Sequence, residues 1–183
     1  ALATQSFATA GGPRFEISLS TSLGDSPRDG RLLVILGKSA SREPRRAIGD
    51  TDLDSAPILG IDVINLKPGE KRAVDESAAI FPLASLRDLP VGDYLVQAVL
   101  MTNRDLWLHD APGNLYSEPV KLKIDPATEQ TIALELSKQV AEEKPPDDLS
   151  QIKFIRLKSE KLSKFFGRPM FLRAGVLLPR DFD

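Results

Sequence analysis

The sequence predicts an all-β protein: a β-sandwich, then a linker and a C-terminal β-hairpin. Three observations lead there. The stretch from Leu89 to Thr102 is apolar at period two on both faces, with Tyr94, Val96, Ala98 and Leu100 on one and Leu95, Val99 and Met101 on the other, interrupted only by Gln97. A strand apolar on both faces belongs in the middle of a sheet. Short apolar runs recur at roughly ten-residue spacing with Gly, Pro, Asp and Ser between them. No helix of more than a couple of turns is convincing, and no internal repeat is visible.

The elements follow in order. Residues 1–12 are small and polar and read as a flexible start. Phe15, Ile17 and Leu19 alternate with Glu16, Ser18 and Ser20, the pattern of a half-buried strand. Leu23 to Gly30 has turn composition, and Arg31 to Gly37 is an interior strand. The charged segment Lys38 to Asp54 reads as a long exposed loop. Ile58 to Leu66 is a third strand, closed by the turn Lys67-Pro68-Gly69-Glu70, and Lys71 to Asp75 is a weaker one. Ala78 to Leu83 is extended, because Pro82 keeps its predecessor out of the helical region. Ser85 to Asp88 forms one helical turn before the central strand.

Beyond that strand, Asn103 to Asn114 is a loop carrying the sole Trp and the sole His. Leu115 to Ile124 resumes the sheet, with Val120, Leu122 and Ile124 facing inward. The turn Asp125-Pro126-Ala127-Thr128 reverses it into Thr131 to Ser137 as a hairpin. The sandwich is thus placed at residues 13–137. Residues 138–150, charged and with a Pro-Pro pair, are the linker. Residues 151–183 form two further strands around Gly167-Arg168-Pro169.

Composition closes off several function classes. Among 183 residues, 42% are hydrophobic and 27% charged, an ordinary globular balance. A net charge of -2 without a basic stripe argues against a nucleic-acid partner. No apolar run of about eighteen residues is present, so no membrane span is predicted. Zero cysteines remove disulfides, thiolate metal sites and cysteine nucleophiles. The start, Ala1 to Gly12, fits either a mature end left by signal-peptide cleavage, hence a secreted or periplasmic protein, or an ordinary frayed terminus.

Several fragments resemble catalytic motifs and fail on spacing. Gly37-Lys38-Ser39 lacks the upstream glycine of a phosphate-binding loop, Leu32 standing in its place, and lacks the second glycine of a nucleophile elbow. Gly24-Asp25-Ser26 lies in a turn, with no matching Asp-x-x-His near the C-terminus. Asp50, Asp52 and Asp54 have the spacing of the first ligands of a calcium loop, but Ser55 and Ile61 stand where that loop needs Gly and Glu. They are a weak metal candidate, and no cofactor is predicted.

Two places carry the remaining candidates. Tyr94 opens the central strand after Leu89-Pro90-Val91-Gly92-Asp93, an arrangement like the tyrosine corner of immunoglobulin-like sandwiches. It is expected to be structural, and it makes the predicted fold an immunoglobulin-like β-sandwich. The loop Leu106-Trp107-Leu108-His109-Asp110, together with Tyr116, is the candidate ligand or interdomain contact surface. Its competing reading has Trp107 capping the core and His109 solvated. Any Ser-His-Asp triad would have to use His109.

The C-terminal end resembles a known family. Leu162 to Met170, then Gly175-Val176-Leu177-Leu178-Pro179 and Asp181-Phe182-Asp183, is similar to the opening of the catalytic domain in bacterial esterases of the esterase D and enterochelin esterase type. Ser41-Arg42-Glu43-Pro44-Arg45, the strand from Gly92 to Ala98 and Pro112 to Pro119 resemble the β-rich N-terminal region of exported members. The resemblance spans most of the chain from about Phe15. It implies that the family's nucleophile, acid and histidine lie past the position of Asp183, so no catalytic residue is assigned here. The expected function is a noncatalytic accessory domain that positions or shields an α/β-hydrolase domain of the same polypeptide. The alternative is an autonomous carbohydrate- or envelope-binding module, which requires Trp107 and Tyr116 exposed and coplanar.

Overall fold

The computed structural model describes residues 12–38, 42–52, 55–142 and 147–180, and the chain divides into two units, 1–142 and 143–183. The architecture is all-β. Among the described residues of the first unit nine strands form one curled sheet: β1 (Arg14–Leu19), β2 (Arg28–Gly37), β3 (Ile58–Leu66), β4 (Lys71–Val74), β5 (Ala79–Phe81), β6 (Gly92–Met101), β7 (Leu115–Ser117), β8 (Val120–Ile124) and β9 (Thr131–Gln139). Their order is β4-β1-β9-β7-β6-β2-β3-β5, with β8 paired to β6 beyond β7.

The alternation predicted for β1 is observed: Phe15, Ile17 and Leu19 are buried, while β4 and β9 flank the strand, antiparallel and parallel respectively. The curl brings these side chains against Leu32, Val34 and Leu36 of β2, Leu59, Val63 and Leu66 of β3, and Ile132, Leu134 and Leu136 of β9 in a single core. Burying each such side chain contributes about 1.5–3 kcal/mol before the entropy of ordering it is subtracted.

Strand β6 is central, as its two apolar faces require. It pairs with β2 along one edge and with β7 and β8 along the other. Tyr94, Val96, Ala98 and Leu100 join the main core, whereas Val99 and Met101 form a second, outer cluster with Ile35 and Ala47, packed by Leu33, Ile48, Ala56, Ile58 and Tyr116. What covers the outer face is the segment after β2, expected to be a wholly exposed loop. Pro44–Ala47 instead make a 3₁₀ turn whose Pro44 and Ala47 are buried. An apolar strand face left in water would be unfavourable, and this segment removes it. At the opening of β6, the Tyr94 hydroxyl donates to the Pro90 carbonyl at 2.7 Å.

Four expectations are corrected. Strand β2 begins at Arg28, so Gly30 lies inside it, next to an irregularity in the β2–β3 ladder. The pair β8 and β9 is not a hairpin ladder: β8 pairs with β6, and β9 with β1 and β7. Pro119 has no N–H to donate, and beyond it β8 resumes the pairing with β6 while the β7–β9 ladder ends. Val120, expected to face inward, is exposed. The linker starts later than residue 138, because β9 runs to Gln139 against β7, and Val140 exchanges hydrogen bonds with Gly113 and Asn114.

The second unit holds β10 (Ile152–Lys158), α1 (Glu160–Phe166) and β11 (Phe171–Leu177), the two strands antiparallel over seven residue pairs. The expected hairpin carries a short helix in its connection. Ser159 caps that helix by accepting from the Leu162 N–H, and Gly167 ends it in the left-handed region at φ 66°. Residues 147–150 belong with this unit, since Asp148 accepts from the Phe154 N–H and Leu149 exchanges backbone bonds with Ile152.

Candidate contact surface: the Trp107 loop

The loop between β6 and β7 is built on two asparagines. Asn114, fully buried, accepts from the N–H groups of Thr102 and Asn103 at 3.0 and 3.1 Å and donates to the Leu108 carbonyl at 2.9 Å. Asn103 accepts from the N–H groups of Asp105 and Leu106 and donates to the Pro112 carbonyl, all at 2.9 Å. The Thr102 hydroxyl donates to the Gly113 carbonyl at 2.8 Å, and Gly113 adopts φ 91°, a conformation that favours glycine. Asparagine suits these positions because one amide satisfies donors and acceptors together, taking up backbone groups that a tight loop cannot pair with each other.

The braced loop presents three consecutive apolar side chains to solvent: Leu106 at 39%, Trp107 at 73% and Leu108 at 53% exposed. Trp107 therefore does not cap the core, the competing reading from sequence. Asp110 is exposed, while His109 is half-buried. Tyr116 is not part of this tip. It lies on β7, half-buried against the outer cluster, with the Arg45 guanidinium 4.3 Å above its ring.

Beside it is a charged network whose members sequence reasoning did not select. Gln97, fully buried on the outer face of β6, donates to Glu43 Oε1 at 2.9 Å and to the Ser117 carbonyl at 2.8 Å, and accepts from the Arg45 N–H at 2.9 Å. Arg45 Nε donates to Glu43 Oε1 at 2.7 Å, and Arg45 Nη1 to the His109 carbonyl at 3.5 Å. The available signal was Gln97 itself, the one amide on an otherwise apolar strand face; buried amides need partners.

Burial pushes the Glu43 carboxyl upward, but hydrogen bonds from Arg45 and Gln97 and the charges of Arg45 and Arg46 together outweigh it and hold the group below its ordinary 4.5. A depressed folded-state value means that the contribution to stability is complete above the unfolded-state value and is lost as pH falls through the folded one. The thermal midpoint of the wild-type chain should therefore fall more steeply below pH about 4.5 than that of Glu43→Gln. Parallel melting curves for the two proteins across that acid range would rule this out.

Two members of the acidic triplet already have partners. Asp50 Oδ2 accepts from Arg42 at 2.7 Å and Asp52 Oδ1 from the Ser55 hydroxyl at 2.9 Å, while Asp54 lies outside the described residues. Among the described residues no group of three His, Cys, Asp or Glu side chains is placed to hold a metal, and no helix is long and apolar enough to cross a membrane. Clefts of about 350 and 390 Å³ open beside Arg14 and Asp75 and beside Glu43 and Asp50, and neither is lined by the Trp107 loop. The loop is an exposed apolar tip. No protein-family model, curated protein or solved structure matches the chain.

Proposed function

We propose that the chain is the noncatalytic accessory region of an exported ester hydrolase. In this reading its C-terminal unit joins, and its Trp107 loop contacts, an α/β-hydrolase domain of the same polypeptide. The observation that carries the reading is the state of the C-terminal unit. Among residues 147–180 none is buried, and Phe165 and Leu177 are 80% and 75% exposed. On one face of the β10–β11 ladder stand Ile155, Leu157, Leu172 and Val176; on the other, Ile152, Phe154, Phe171 and Leu177. A two-stranded sheet with apolar side chains on both faces, one of which also carries Arg156, Lys158 and Arg173, and with no further strand paired to it among the described residues, is marginal alone and calls for further strands and a covering layer. The resemblance of residues 162–183 to the opening of an esterase catalytic domain supports taking an α/β-hydrolase domain as that partner.

The alternative, a carbohydrate- or envelope-binding module, needs a platform of two rings. Tyr116 is held half-buried beneath Arg45, which leaves Trp107 without its partner. The test has two parts. The 183-residue chain should not hydrolyse a short-chain chromogenic ester, and an antibody against it should detect a native product far larger than 20.0 kDa that does. Turnover by the chain itself that a serine-reactive inhibitor abolishes, or a native product of the chain's own size, would overturn the proposal.

A further inference from the structure

We infer that Arg45 is the positioning residue of the Trp107 loop, making that loop and the outer-face segment 42–52 one mechanical unit; the inference rests on the reading of the loop as the contact surface. Four parts of the fold meet at Arg45, whose side chain stays 13% accessible. Its own N–H is fixed to Gln97 on β6 at 2.9 Å, and its guanidinium lies on Tyr116 of β7. Nε is held by Glu43, itself held by Gln97, and Nη1 reaches the carbonyl of His109, 64 residues further along the chain.

The asparagine bonds close the loop on itself. The Arg45 bond, by contrast, ties its far limb to a different part of the fold. Only a planar guanidinium can use a ring-stacking face and two in-plane donors at once; a lysine ammonium offers a point charge without the plane. A partner that seats Trp107 in one orientation therefore also holds residues 42–52 against the sheet.

Trp107 is the sole tryptophan, so its fluorescence reports on this loop. The experiment compares full-length Arg45→Ala and Arg45→Lys with Ile17→Val, a change in the main core that loosens packing without touching any partner of Arg45. Time-resolved anisotropy of Trp107 and hydrogen exchange of its loop amides are the two readouts. Both Arg45 variants should show faster depolarisation and roughly tenfold faster exchange across residues 104–111, with exchange in β6 unchanged. Ile17→Val should show neither effect. Wild-type exchange in the loop of the folded variants, or equal acceleration in Ile17→Val, would overturn the inference; if Arg45→Ala does not fold, Arg45→Lys decides. Neither readout needs a partner or an ester, so this test and that of the proposed function fail independently.

Discussion

Replacing Asn114 with alanine lowers the stability of the N-terminal unit by about 3 kcal/mol and releases the Trp107 loop. The wild-type amide is fully buried and serves the N–H groups of Thr102 and Asn103 and the carbonyl of Leu108. Alanine leaves the Thr102 and Asn103 N–H groups without this partner, each at a cost of about 1–3 kcal/mol, while the Leu108 carbonyl keeps the Ala111 N–H. Partial solvation of the loop keeps the total below the sum. Urea denaturation monitored by circular dichroism measures the loss. Trp107 anisotropy under native conditions should fall in parallel, and a variant that keeps wild-type stability would show that the amide is replaceable.

Gly30→Ala should cost a similar amount, about 3 kcal/mol, by a different route. A Cβ built at Gly30 would stand 2.3 Å from the carbonyl oxygen of Met101 and 2.9 Å from its carbon. The need is for space rather than for an unusual backbone angle, because β2 and β6 approach each other backbone to backbone at this point. A methyl group cannot rotate out of the way. Relief requires separating the two central strands at the place where β6 leads into Thr102 and the asparagine brace. The same denaturation experiment applies, and a midpoint shift equivalent to less than 0.5 kcal/mol, about the scatter of surface substitutions, would refute the close approach.

Much of this architecture was legible in the chain, for identifiable reasons. Period-two alternation located β1 and β9, because one face of each is buried and the other wet. The two apolar faces of β6 correctly implied a covered position, but not its cover. The segment around Ala47 that supplies it is charged, and its apolar residues touch the sheet only through tertiary folding. The β8–β9 turn was visible in Asp125 to Thr128, while the partners of its strands were not, since strand pairing in a curled sheet is decided by distant segments. Ser159 and Gly167 carried the cap signals of a seven-residue helix too short to show periodicity.

The candidate site divides in the same way. Trp107, His109 and Asp110 stood out by composition, and their loop is where an exposed apolar tip is found. Tyr116 was grouped with them by proximity in sequence, yet alternation on β7 turns it to the outer face under Arg45. Glu43, Arg45 and Gln97 were not grouped as a site because the bonds that join Gln97 to the other two span more than fifty residues, a separation that no local pattern encodes.

The parallel pairing of β1 with β9 sets a timetable for synthesis. Phe15 lies opposite Ile132 and Leu19 opposite Leu136, so the first strand of the sheet and the last must meet before the curl is closed. Such distant pairing carries a large loop-closure entropy and belongs to the slow class of folding topologies. While the ribosome is still decoding the middle of the chain, β4 is the only neighbour β1 can recruit, and its other edge waits bare. A nascent chain halted before Thr131 thus offers an unpaired, apolar edge to chaperones or to a second unfinished copy, and one that has emerged past Gln139 does not.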